Sequence, residues 1–148
     1  MAAPKNSFKA ALKNNQLQIG FWQSLSSVTT AEISAQVGFD WLLIDGEHAP
    51  NSVESIANLL RVIDPSDSNA VVRVVAGITH DIKQILDVGA QTILVPMVET
   101  AHQAQEMVRA VHYPPSGVRG AASITRAAKY GNISNYAASA NEEICLLV

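Results

Sequence analysis

The chain has 148 residues, 48% of them hydrophobic, and a formal net charge of -3. That length fits one domain with its own core, and the weak negative charge gives no electrostatic reason for nucleic acid or an anionic membrane as partner. The opening MAAPKNSFKAALKNN lacks the apolar segment of a secretion signal, and no apolar stretch nears the roughly 20 residues that span a bilayer. A cytoplasmic location with no membrane partner is the expectation.

Short apolar runs alternate with polar loops and amphipathic stretches. Leu17–Trp22 is the first run, followed by a Ser/Thr-rich turn (Ser24, Ser26, Ser27, Thr29, Thr30) and a helix ending at Gly38. Trp41–Ile44 is the second, with Asp45-Gly46-Glu47-His48-Ala49-Pro50-Asn51 as its loop. Ser52 is placed to cap the next helix, which carries Val53, Ile56, Leu59, Leu60 and Ile63 on one face. Ala70–Val75 leads into a helix from about Thr79 to Val88, and Gln91–Val95 into one that runs to about His112. Tyr113–Gly120 is a Pro/Gly-rich loop, and Ile144–Val148 opens a further strand. Cys145, the single cysteine, reads there as a buried, inert thiol, and no intrachain disulfide is possible.

The runs are apolar at consecutive positions and rich in Val, Ile and Leu, as in parallel strands covered on both faces. Gly38 and Gly89 each end a helix just before a strand, where a residue of positive φ is wanted. The short, regular βα period fits a (β/α)8 TIM-type barrel or an open doubly wound sheet. No G-x-G-x-x-G follows the first strand, which leaves a dinucleotide-binding unit unsupported. The barrel is favoured, with residues 1–148 as a single domain. A whole barrel takes about 250 residues, so this chain is expected to supply its N-terminal part, an incomplete barrel of about five strands.

Active sites of such barrels lie where the C-terminal ends of the strands open into loops. Asp45, Glu47 and His48 fall in one such loop. Arg73 lies on the next strand, where a lone guanidinium is costly unless paired with an anion. Two acids, an imidazole and an arginine would converge at one mouth. Each also has a structural reading: Asp45 capping the turn, His48 solvated, Arg73 pointing out between helices. Asp87 falls in the last turn of its helix, where a carboxylate opposes the macrodipole by about 0.3–1 kcal/mol, and a tolerated surface acid is the plain reading. His80, His102 and His112 show no metal-ligand spacing and read as surface or capping residues. Gly117-Val118-Arg119-Gly120 is a weak candidate for a phosphate- or subunit-contacting loop. No lysine falls on a strand, which argues against a Schiff-base aldolase and leaves carbanion stabilisation to a metal.

Phe39-Asp40-Trp41-Leu42-Leu43-Ile44-Asp45-Gly46-Glu47-His48-Ala49-Pro50-Asn51 resembles the signature loop of the HpcH/HpaI aldolases. The resemblance continues through Val71-Val72-Arg73, Ile85–Gln91, Val95-Pro96-Met97-Val98 and Tyr113–Gly120, and includes Asn6-Ser7-Phe8-Lys9. It implies cleavage of 4-hydroxy-2-oxo acids to pyruvate, or a related 2-oxo acid, and an aldehyde, with a divalent cation (Mg, Mn or Co). By the same resemblance His48 is the acid/base, Arg73 the cation that stabilises the enolate, and Asp87 the carboxylate that raises the basicity of the histidine. Glu47 lies near the water shell of the metal. The metal ligands themselves are expected beyond Val148, so none is expected in this chain and metal binding by it alone is not. A homo-oligomer, a hexamer in the family, is implied. The alternatives are a non-catalytic half-barrel that pairs with another chain and a citrate-lyase-β-like lyase acting on acyl-CoA.

Overall fold

A computed structural model describes all of residues 1–148. Five parallel strands form one sheet: β1 (Gly20–Gln23), β2 (Trp41–Asp45), β3 (Asn69–Arg73), β4 (Thr92–Leu94) and β5 (Cys145–Leu147). They are hydrogen-bonded in chain order from β1 to β5. An open doubly wound sheet reverses its strand order at a switch point, whereas a barrel adds each strand beside the last. The unreversed order is that of a barrel.

Helix α1 (Ser7–Lys13) precedes β1, and α2 (Val28–Ala35), α3 (Val53–Ile63), α4 (Thr79–Asp87) and α5 (Ala101–Val111) connect successive strands. A single 3-10 turn, Lys129–Gly131, and α6 (Tyr136–Glu143) lead into β5. The caps follow the sequence: Ser52 accepts from Ser55 N–H, and Thr100 and Gln103 form a reciprocal capping box on α5. Gly38 and Gly89 take φ of 92° and 113°, which a side chain would resist.

Strand alternation divides the sheet into two faces. Leu42, Ile44, Val72 and Ile93 point outward and pack with Ile56, Leu59, Leu60, Ile82, Leu86 and Ala110 of the helices. Leu43, Val71 and Cys145 point inward with Trp41, Leu94 and Leu147, and Phe8 of α1 closes that cluster, its ring edge-on to Trp41 at 6.2 Å. The Cys145 thiol is buried and free, and burial pushes its pKa up.

Two differences from the sequence reading have physical causes. The first strand begins at Gly20, and the apolar Leu17 and Ile19 before it are exposed. Gly20 lies against the Trp41 indole, whose nearest carbon would stand 2.0 Å from an added Cβ. Helices α1 and α6 give no strong apolar periodicity and are fixed by polar contacts instead. Asn6 caps α1 by accepting from Lys9 N–H, and its amide donates to Thr92 Oγ1 at 3.0 Å and to the Glu143 carbonyl at 2.9 Å. Glu143 accepts from Asn6 N–H and from Lys5 Nζ, which ties α6 to the N-terminal segment across the end of the sheet where strands begin. No helix is long and apolar enough to cross a membrane.

Candidate active site

Asp45 and Arg73 are paired in register at the C-terminal ends of β2 and β3, so their side chains share the inner face. Arg73 Nε donates to Asp45 Oδ1 at 3.0 Å and Nη2 to Oδ2 at 2.7 Å. Asp45 Oδ2 also accepts from Trp22 Nε1 at 3.1 Å, and Oδ1 from the backbone N–H groups of Glu47 and His48 at 2.9 and 3.1 Å. Burial alone would raise the Asp45 pKa, but hydrogen bonds from Arg73, Trp22 and those two amides outweigh it and hold the carboxyl well below the usual range.

The guanidinium is held on further sides. Its Cζ lies 5.0 Å from the centre of the Trp22 ring, and Nη1 pairs with Glu47 Oε2 at 2.9 Å. The hydrogen bond to Asp45 raises the Arg73 pKa against the opposing effect of burial, so the cation is permanent. Gly46 lets the chain turn here: its N–H donates to the Arg73 carbonyl at 2.8 Å, and an added Cβ would sit 2.6 Å from that oxygen. Asn51 Nδ2 donates to the Asp45 carbonyl and closes the loop.

His48 stands at the rim with its side chain 75% exposed, its Nε2 3.6 Å from Glu47 Oε1. Asp45, Glu47, His48 and Arg73 are thus brought together, with Trp22 as a member that sequence reasoning did not pick out. Trp22 ends an apolar run, and its indole N–H carried no signal until β1 and β2 were in register. Beside this cluster, Val75, Ala76, Gly77, Pro96, Met97 and Val98 line an apolar recess of about 270 Å³. A larger cleft of about 680 Å³, lined by Ser7, Asn69, Gln91 and Arg126, lies where the strands begin and is remote from this chemistry.

Asp87 is placed elsewhere. It ends α4, which returns the chain to the start of β4, so it lies toward the opposite end of the sheet from His48. Its Oδ1 pairs with Arg119 Nη2 at 2.9 Å. A single chain therefore does not bring Asp87 to His48. Arg119 is turned inward with a fully buried side chain, which removes it as a surface phosphate contact. His80 and His102 are exposed beside Asp81 and Glu106, and no group of three or more His, Cys, Asp or Glu side chains is arranged to hold a metal ion. At the mouth Asp45 and Glu47 Oε2 are both engaged by Arg73, so this pair of carboxylates does not fit a divalent cation as it stands.

A sequentially wound parallel βα sheet, with charged groups gathered at its strand ends, defines a TIM-barrel-type framework. The chain belongs to the HpcH/HpaI aldolase/citrate lyase family, whose profile matches residues 18–148. It is 53% identical over 149 residues to the hydroxypyruvate/pyruvate aldolase of Roseobacter denitrificans, covering all of this chain and 58% of that protein. It is also 53% identical over 144 residues to a 2-keto-3-deoxy-L-rhamnonate aldolase of Salmonella gallinarum, covering 97% of this chain and 54% of the relative. The chain spans little more than half the length of these relatives. The crystal structure of a family member from Burkholderia cenocepacia superposes with a TM-score of 0.93 at 39% identity, over 96% of this chain and 58% of the other. An HpcH/HpaI aldolase from Desulfitobacterium hafniense gives 0.81 at 28%, over 93% and 54%.

Proposed function

We propose that these residues supply the acid/base and charge-stabilising part of an aldolase that cleaves 4-hydroxy-2-oxo acids, such as 4-hydroxy-2-oxoheptanedioate, to pyruvate and an aldehyde. The observation that carries this reading is the Arg73 guanidinium, fixed by Asp45 and Trp22 at the mouth beside an exposed imidazole. The names of the two relatives, both 2-oxo-acid aldolases, support the same substrate class.

His48 takes the proton of the C4 hydroxyl as the C3–C4 bond breaks. The C4 oxygen becomes the carbonyl of the aldehyde, and the electron pair of the broken bond moves onto C2–O as an enolate. Arg73 faces that oxygen with the N–H groups that Asp45 and Glu47 leave free, and the charge it meets exists only after bond breaking begins. Protonation of the enolate at C3 releases pyruvate. The divalent cation that the family resemblance implies would supply further positive charge for the enolate, but Asp45 and Glu47, engaged by Arg73, do not offer it a site here. Asp87 can serve a histidine only from another copy of the chain, in keeping with a homo-oligomer.

Pyruvate release from a 4-hydroxy-2-oxo acid by the longest chain that carries this sequence tests the reading. Loss of turnover in His48→Ala and in Arg73→Lys is expected. Full turnover in both variants would refute it.

A further inference from the structure

Three observations converge on Arg119. First, its placement is rigid. Arg119 N–H donates to the His112 carbonyl at 2.9 Å and Val118 N–H to the Arg109 carbonyl at 2.8 Å, locking the loop to the end of α5. Gly117 fits there because an added Cβ would stand 2.3 Å from both carbonyl oxygens. Second, the guanidinium is fully buried, its Cζ 4.3 Å from the centre of the Tyr113 ring, which itself meets Tyr136 edge-on. Burial pushes the Tyr113 hydroxyl up to about 12 despite Arg119 beside it, so the surroundings stay neutral. Third, the cation has one counter-ion, Asp87, whose Oδ1 accepts from Nη2 at 2.9 Å; the rest of the buried guanidinium meets only the neutral Tyr113 and Tyr136 side chains.

Burying a cation is expensive, and a guanidinium that merely joins elements recovers the cost by donating to nearby carbonyls. Arg126 does this, giving Nη1 to the Val88 carbonyl and Nη2 to Asp64. Arg119 spends its charge on a single oxygen of Asp87. That charge offsets the α4 macrodipole, which disfavours a carboxylate in the last turn. It also holds one oxygen and leaves Oδ2 without a hydrogen bond, on a side chain 22% exposed.

We propose that Arg119 is a positioning residue for Asp87: it holds one carboxylate oxygen and so turns the other toward the imidazole that Asp87 serves. This rests on the reading above in which Asp87 acts on the catalytic histidine.

The test is a double-mutant cycle in the longest chain that carries this sequence, assembled and supplied with divalent metal. Arg119→Gln is expected to lower kcat about tenfold with KM for the 2-oxo acid nearly unchanged, as for other groups that orient a catalytic partner. Arg119→Lys, which keeps a charge beside Asp87, should recover part of that loss. Added to Asp87→Asn, Arg119→Gln should cost nothing further, because both changes remove one function. Multiplying losses, or an effect confined to KM, would overturn the proposal while leaving the role of Asp87 intact. An unimpaired Asp87→Asn would sink both. Should Arg119→Gln fail to fold, Tyr113→Leu takes its place, since it removes the ring beneath the guanidinium. The same absence of further loss on Asp87→Asn is then expected, and multiplying losses again overturn the proposal.

Discussion

Asp45 grips Arg73 across β2 and β3 through two hydrogen bonds while its remaining lone pairs take the Trp22 indole and the amides of Glu47 and His48. One carboxylate therefore sets both the cation and the loop that carries the imidazole. Asp45→Asn keeps the shape and loses the charge, leaving a largely buried guanidinium without its main counter-ion. Removing one partner of such a pair typically costs about 3–5 kcal/mol, less here because Arg73 retains Glu47 and some solvent. Urea unfolding should show a loss of about 2 kcal/mol or more, and a variant as stable as the parent would mean that the pair is not structural.

The same carboxylate gives a pH dependence whose sign is fixed. The folded-state pKa of Asp45 is depressed, so its contribution is present above the unfolded value of about 3.9 and fades as pH falls through the folded value. Acid unfolding should thus steepen below about pH 4, and Asp45→Asn should flatten that limb. An unchanged acid limb in the variant would assign the transition to other carboxylates.

Arg73 and His48 are separable by kinetics. Arg73→Lys keeps the charge but loses the planar fork that Asp45 holds and the face that lies on Trp22. A fall in kcat of about 10² is expected, with enolisation of pyruvate lost in parallel. His48→Ala should lower kcat by about 10²–10⁴ and leave metal affinity nearly intact. If Arg73→Lys raised only KM, the guanidinium would be a substrate anchor and nothing more.

What was legible in the sequence follows the range of the interactions involved. Trp41–Ile44 and Ala70–Val75 are recognisable as buried parallel strands because burial on both faces leaves an unbroken apolar run. Ser52 announces α3 because a cap is a local contact. The juxtaposition of Asp45, Glu47, His48 and Arg73 was readable because strand ends of a barrel share one mouth. Trp22 escaped, and Arg119 was read as a surface contact, because each finds its acid far along the chain, Trp22 23 residues from Asp45 and Arg119 32 from Asp87. Helix α1 escaped for a related reason: Asn6 makes its sense through contacts more than 80 residues away.

Asn6 is accordingly a sharp test of the N-terminal segment. Asn6→Ala removes the α1 cap and the amide that bridges Thr92 and Glu143, in a nearly buried position. A lost cap costs about 1 kcal/mol and each buried group left unpaired about 1–3 kcal/mol. The melting temperature should fall by several degrees, and hydrogen exchange should rise in both α1 and α6. Faster exchange confined to α1 would show that the bridge to α6 contributes nothing.

Expressed alone, the 148 residues are expected to associate and to show no metal-stimulated cleavage. In this span β1 and β5 each pair on one side only, and Phe21 and Trp22 on β1 are partly exposed. Unpaired strand edges recruit other chains, and uncovered apolar surface drives association. Glu142 and Glu143 offer no substitute metal site, since Glu143 is engaged by Lys5 and Asn6 at the end of the sheet where strands begin. Light scattering should report association. Pyruvate release should stay at background when Mg²⁺, Mn²⁺ or Co²⁺ is added. A monomer with metal-stimulated cleavage would show that these residues hold the metal after all, and the placement of its ligands outside this span would have to be given up.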